Sequence, residues 1–294
     1  MRLIKPKVEI INQEPGVEGL FKHMELCART CYKSEDKITE DSARKFIDNV
    51  IVARGHTAML EHGTVYLIID CSGRLLDVAN KYVNNKYSEW TLHPDGVHYC
   101  ITTNYRVLLQ NGWLDDLQYL CEPTEYHVRR ITVRFICDMG VAREFCRHRV
   151  FSFAQESTRY CNYSKAKFGK ELNCIIPCWY KNMFEGNSYN IELCHTYDLT
   201  ISEAAWIQAM CEAESTYFGL LTEGEPAQQA RNVLPLALKT ELIMTGTDEQ
   251  WVGFFNLRCA RDAHPQAREL AIELRDRMIL AGYINTYDLG SIQV

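Results

Sequence analysis

The sequence predicts an α+β fold, a twisted mixed sheet flanked by helices and built as one domain. Three observations lead there. Apolar runs of strand character (7–12, 64–70, 131–137, 236–245) and runs at helical spacing (17–31, 191–221, 265–281) follow one another without strict βαβ alternation. The 294 residues, 47% hydrophobic and 24% charged, have an ordinary globular composition and enough length for a sizeable core. No internal repeat, low-complexity tract or linker divides the chain.

Residues 7–12 form a first strand, which Pro15-Gly16 breaks. Val17, Leu20, Phe21, Met24, Cys27, Ala28 and Cys31 then recur at helical spacing. Thr39-Glu40-Asp41 opens a second helix with a capping threonine and an acidic first turn; Gly55 ends it. A polar loop, 55–62, leads into a buried strand at 64–70. The stretch 72–129 is less informative: a helix over 74–87, a strand over 97–103, and a helix over 104–121 broken near Gly112.

The strand at 131–137 turns through Asp138-Met139-Gly140 into a helix over 140–148. Residues 174–179 read as an edge strand because Pro177 lacks a ladder donor. A long amphipathic helix covers 191–221, and Pro226 begins another that Pro235 stops. After the strand at 236–245, Thr247-Asp248-Glu249-Gln250 is a capping box and starts a helix through Arg258. His264-Pro265 begins the last helix, 265–281, closed by Gly282.

A net charge of −6 argues against broad binding to a nucleic-acid backbone, which needs an extended basic face. A few arginines focused on one small phosphorylated ligand remain compatible with it. No run approaches transmembrane length, so no membrane partner is expected. Thirteen cysteines, an odd count, with no apolar leader behind Met1 point to a reducing cytoplasm. The pairs Cys27/Cys31 and Cys174/Cys178 are CxxxC, and no CxxC occurs, so buried thiols are favoured over zinc. His56, Glu61 and His62 lack the helical HExxH spacing, and locally bonded histidines are favoured over a metal site.

The stretch from Arg147 to Tyr160 stands apart. Arg147, His148, Arg149 and Arg159 gather in an acidic chain, with Phe151, Phe153, Tyr160, Ser152 and Ser157 among them. Arginine presents five donors in a rigid, permanently charged fork, which suits phosphate and carboxylate groups. The aromatics point to an anion that carries a flat ring. A lone arginine is more often a surface salt-bridge partner, and 38 acidic residues could supply one.

Arg147-His148-Arg149, seven residues, then Ser157 resembles the RHR-x7-S motif of the flavin-dependent thymidylate synthases. Gly55-His56 through Glu61-His62, Ala230-Arg231-Asn232-Val233-Leu234-Pro235 and Phe255-Asn256-Leu257-Arg258 are similar to three further family segments, in the same order. The resemblance covers roughly 25–70 and 130–282, with 72–129 as an insertion relative to shorter members. It implies a homotetramer with active sites shared between subunits, FAD as cofactor, dUMP and methylenetetrahydrofolate as substrates, NADPH as reductant and dTMP as product.

The resemblance also distributes roles. Arg147, His148, Arg149, Gln155, Glu61, His56 and Thr247 fall to the flavin. Glu144, Arg147, Gln155, Glu156, Ser157, Thr158, Arg159, Arg231 and Arg258 fall to dUMP. Arg258 is the catalytic candidate, a fixed cation where negative charge develops on the uracil ring. Ser157 reads as a hydrogen-bonding group, since no general base with an orienting partner accompanies it. The chain departs from the pattern at Ala154-Gln155, where the family has Asn-Glu, at Thr247 for asparagine, and at Glu249 for arginine. Flavin-dependent methylation of uracil in another nucleotide or in RNA, and a non-catalytic nucleotide- or RNA-binding module, are the competing readings.

Overall fold

The computed structural model describes residues 1–70, 72–73, 75–191, 199–285, 287 and 289. Its strands are β1 (Arg2–Ile4), β2 (Lys7–Ile11), β3 (Thr64–Asp70), β4 (Glu89–Leu92), β5 (His98–Asn104), β6 (Arg130–Asp138), β7 (Ser152–Gln155), β8 (Asn173–Ile175) and β9 (Lys239–Thr247). Its helices are α1 (Gly16–Tyr32), α2 (Ser42–Phe46), α3 (Leu75–Val83), α4 (Tyr105–Asn111), α5 (Met139–Phe145), α6 (Ile201–Thr222), α7 (Ala227–Ala230), α8 (Asp248–Arg258) and α9 (Pro265–Leu280). The α+β class holds.

The expected single mixed sheet does not form. Among the described residues there are three sheets, a four-stranded one in the order β2-β6-β9-β7, a three-stranded one β3-β5-β4, and the pair β1-β8. The four-stranded sheet is antiparallel throughout, and only β1-β8 is parallel. The central pairings join segments distant in the chain: β2 meets β6 with residues 12–129 between them, and β6 meets β9 with residues 139–238 between them.

Alternation along the central strands sorts two faces. Val133, Phe135 and Cys137 of β6, with Leu242 and Met244 of β9, pack against α5, α8 and α9 around Trp251, Phe254 and Leu270. Each such fully buried large side chain contributes roughly 1.5–3 kcal/mol. The opposite face turns Ala154 and Ile243 toward Cys27 of α1. A second core joins α1 and α2 to β3, α3, β5 and α4. Residues 72–129 therefore supply the middle strand against β3, with Thr64 opposite Asn104 and Asp70 opposite His98.

Several boundaries differ from expectation. Thr39 is not the cap of the second helix; its backbone N–H donates to Ser42 Oγ, and the helix starts at Ser42 and widens into a π-turn over Ile47–Val52. The 55–62 loop contains a 3-10 turn, Thr57–His62. α6 begins at Ile201, where Thr200 and Glu203 form a capping box; the expected first turns at 192–198 lie outside the described residues. β9 starts at Lys239 because Leu238 N–H closes a turn on Pro235 O at 3.1 Å. β1, β4 and β7 were not anticipated, being only three or four residues long. The break at Gly112 is confirmed, with φ 72° in the left-handed region.

Gly246 is the tightest point of the central sheet. A Cβ there would meet the Phe151 ring at 2.5 Å. Phe151 sits edge-on to Trp251, with ring centroids 4.6 Å apart. Gly246→Ala should therefore destabilise the protein by about 1–3 kcal/mol through overpacking. An unchanged denaturation midpoint would show that Phe151 can move aside.

Candidate active site

α5 is the element that gathers the site. Asp138 caps it, with Oδ1 accepting from Val141 N–H at 2.8 Å. The helix then projects Arg143, Glu144 and, just past its end, His148. α8 runs back along the same face of the sheet and ends at Arg258. There the Arg258 guanidinium donates three hydrogen bonds: Nε to His148 Nε2 at 2.9 Å, Nη1 to Glu144 Oε2 at 2.6 Å, and Nη2 to the Glu144 carbonyl at 2.7 Å. Five N–H groups are available, so two remain for a ligand.

Because Nε2 of His148 accepts, this imidazole is neutral with its proton on Nδ1. Burial, helped by the Arg258 charge, pushes its pKa down to about 4. Its ring lies 5.0 Å from that of Phe254. Glu144 and Arg258, given to dUMP by the family pattern, and His148, given to the flavin, are thus one hydrogen-bonded unit.

At the start of α5 a cleft of about 300 Å³ opens, lined by Met139, Arg143, Thr158, Arg231, Asn232 and Leu234 with the turn that follows. Arg231 Nη1 donates to Thr158 Oγ1 at 3.3 Å. Gln155, the last residue of β7, reaches Thr240 Oγ1 at 3.3 Å and Met139 Sδ at 3.7 Å, beside the same cleft. Ser157 N–H is fixed on Cys31 O at 3.0 Å, and Ser157 Oγ accepts from Arg159 N–H at 3.3 Å. Arg143, Arg147, Arg149 and Arg159 are exposed. Among the described residues none of them, nor Arg231, forms an ion pair with a carboxylate. Surface salt bridging therefore does not account for these arginines. Arg143 was missed in the sequence; its place on the Met139 face of α5, one turn on, is the signal that could have found it.

Glu156 is buried and sits in a ladder of alternating charge. Lys239 Nζ donates to it at 2.8 Å and to Glu241 at 2.6 Å, Lys33 Nζ donates to Glu241 at 2.7 Å and to Glu35 at 3.1 Å, and Tyr163 OH donates to Glu156 at 3.1 Å. Burial alone would raise the Glu241 carboxyl, but the Lys239 and Lys33 ammoniums hold it at about 2. Sequence reading did not find Lys33, Lys239 or Glu241.

The remaining expected residues lie elsewhere. His56 Nδ1 is joined to Tyr32 OH, whose ring is 5.3 Å from that of Tyr160. Glu61 pairs with Arg106. His62 Nδ1 bonds Thr245 Oγ1 at 2.8 Å. The three have separate partners, but each lies outside the 55–62 loop, 24, 45 and 183 residues away, so the expected local bonding of the histidines does not hold. Thr247 is the N-cap of α8, accepting from Gln250 N–H at 3.2 Å.

A family model described as thymidylate synthase complementing protein matches residues 123–279. The flavin-dependent thymidylate synthase of Geobacter sulfurreducens is 29% identical over 135 residues, 46% of this chain and 50% of that one. The flavin-dependent thymidylate synthase of a Synechocystis strain is 27% identical over 198 residues, covering 63% and 84%. That of Pyrococcus furiosus is 28% identical over 142 residues, covering 48% and 51%. The chain thus spans about half the length of two of these three relatives. The family match takes in α5, the arginine stretch, the cleft and α8 together, over more than half of the residues, and on it the chain belongs to the thymidylate synthase complementing protein family.

Proposed function

We infer that this chain carries out the reductive methylation of dUMP to dTMP, with methylenetetrahydrofolate as carbon donor, NADPH as reductant and FAD as cofactor. The observation that carries this reading is the set of arginines without carboxylate partners around the α5 cleft, in an enzyme family whose members bind a flavin and act on a nucleotide. Arg231, Arg143 and Arg159 would take the dUMP phosphate, where bidentate pairing suits them. Thr158, Ser157 and Gln155 supply neutral donors and acceptors beside it. Arg258, oriented by Glu144 and His148, would hold its two free N–H groups toward the uracil edge that becomes negative.

The residues present also fit the flavin. Arg147 and Arg149 are exposed cations without counter-ions, as a pyrophosphate requires. FAD would supply the hydride-carrying chemistry. His56, Glu61 and Thr247 are the further flavin candidates. Val150 is 65% exposed and Leu257 64%, each next to a site arginine. Of the 22 residues of α6, only Glu203, Ile207, Cys211 and Tyr217 are buried, although the helix is largely apolar. Both features support the homotetramer. Residues 72–129 would be an insertion on the shorter family pattern.

The test is dUMP-dependent oxidation of NADPH by purified protein reconstituted with FAD. Yellow protein with dUMP-dependent turnover supports the reading. Protein that stays colourless with FAD but binds uridine nucleotides would favour the non-catalytic module. Arg231→Ala should raise the KM for dUMP about 10- to 100-fold, the loss of a charged hydrogen bond worth roughly 1.5–3 kcal/mol. An unchanged KM would remove Arg231 from the phosphate.

A further inference from the structure

The family pattern gives Glu156 to dUMP, but its carboxylate is taken by Lys239 and Tyr163, at one end of the ladder Glu35–Lys33–Glu241–Lys239–Glu156 beside the other residues assigned to dUMP. Glu156 stands between Gln155, at the cleft, and Ser157. Its backbone N–H donates to Glu241 O at 2.8 Å, extending the β7–β9 pairing one residue beyond the strand. Its carboxylate is 4% exposed and fully occupied by Lys239 and Tyr163. Lys239 is bracketed by two carboxylates and follows Leu238, which lines the cleft. Lys33 closes the far end from the C-cap of α1, in a left-handed conformation with φ 46° that glycine would adopt at less cost. A lysine there is explained by its side chain, which ties α1 to β9. Two residues earlier, Cys31 O receives Ser157 N–H. The ladder and this bond hold one short segment from both sides.

We propose that Lys239 is a positioning residue for nucleotide binding: through Glu156 and the charge ladder it fixes the segment Ser157-Thr158-Arg159 against the α5 cleft. This deepens the function inferred above and rests on it. Removing Lys239 would leave Glu156 and Glu241 as buried carboxylates without their shared cation. A buried charge that loses its partner is strongly unfavourable, and the least costly response is for one carboxylate to move toward water. Glu156 has the shorter path, at the end of a four-residue edge strand. Its movement would carry Ser157 and Arg159 with it, while Arg147, Arg149 and Arg258 stay attached to α5 and α8. Dead weight in the core would predict something else: loss of stability with dUMP affinity unchanged in whatever protein remains folded.

The experiment compares wild type, Lys239→Met, Lys239→Arg and Glu156→Gln in the FAD-loaded full chain, by equilibrium dialysis of dUMP and by steady-state turnover. Lys239→Met should weaken dUMP binding and raise its KM tenfold or more, with bound flavin unchanged and kcat within about threefold. Lys239→Arg, which keeps the cation, should recover most of the affinity. Glu156→Gln, which keeps shape and hydrogen bonding, should fall between. Wild-type protein that binds no dUMP would overturn the functional reading and this proposal together. Wild-type binding with equal affinity in Lys239→Met would overturn this proposal alone. So would a Lys239→Met protein that loses flavin and thermal stability in step with affinity, since that is the mark of a structural role.

Discussion

Arg258→Ala should lower kcat by about 10²–10³-fold while leaving most of the bound flavin in place, because one fixed donor at a developing negative charge is worth that much. The geometry makes the effect specific. Three of the five guanidinium N–H groups are held by Glu144 and His148, so the direction of the other two is set before any ligand arrives. That preorganisation is what an electrostatic contribution to catalysis needs. Lysine at the same place should not rescue, since one ammonium cannot reproduce donors to a ring nitrogen, a carboxylate and a backbone carbonyl at once. Glu144→Gln should be milder, because the amide oxygen still accepts and the carbonyl contact is untouched. The check is single-turnover kinetics together with flavin absorbance for each variant. A kcat near the wild-type value in Arg258→Ala would strip the residue of its catalytic role. Loss of flavin along with activity would mean that it builds the site without stabilising charge in it.

Long periodic segments were legible in the sequence. Thr64–Asp70 forms the strand expected over those same residues. The Thr247/Gln250 capping box is present with both of its bonds. In each case a local rule, alternation or capping, is enough to determine the structure. The four-residue strand β7 was illegible because it falls inside the arginine stretch, where charge dominates the pattern and four residues give alternation little to show. The sheet arrangement was illegible for another reason. Whether strands join one sheet or three is decided by pairing between distant segments, and β2 meets β6 across more than a hundred residues.

The candidate site divides the same way. The arginines were found because they cluster in sequence. Their grouping was not, since Glu144 and Arg258 are 114 residues apart and meet only because α5 and α8 pack on one sheet face. Lys33 and Glu241, 208 residues apart, are further from recognition still. A lysine at a helix end or a strand start has the sequence signature of solvated surface. Its burial between two glutamates is a property of the assembled fold alone.

Acid should unfold this protein earlier than its carboxylates alone would require, because burial holds His23, His62 and His148 neutral and lowers His127 in the same direction. Burial, with a smaller push from the Arg130 charge, lowers His23 to about 4. Burial, then His23 and Arg130, lowers His62 to about 3. His148, half-buried, stands at about 4. His23 and His62 are the two ends of one buried chain: His23 Nε2 to Thr132 Oγ1 at 3.0 Å, Thr132 Oγ1 to Thr245 Oγ1 at 2.8 Å, and Thr245 Oγ1 to His62 Nδ1 at 2.8 Å. Three hydrogen bonds need three protons, and the two hydroxyls supply two of them. One histidine therefore donates into the chain and the other accepts. Protonating the acceptor puts a fourth proton into three bonds and breaks one in the core. The sign follows directly. The folded pKa values lie below the unfolded value of about 6.5, so below that pH the unfolded chain binds more protons and stability falls as pH falls. The decline continues until the folded values near 4 and 3 are reached. Near pH 5 these two buried histidines together give a slope of about 2.5 kcal/mol per pH unit, with a smaller addition from His148. Glu203 and Glu241, both lowered to about 2 from 4.5, begin to weaken the fold only as pH falls through 4.5, below the interval from pH 7 to pH 5. Urea denaturation at steps from pH 7 to pH 5 isolates the histidines. The midpoint should drop steadily across that interval, and His23→Gln should flatten the drop. A midpoint constant from pH 7 to pH 5 would mean that the chain accepts the extra proton without breaking.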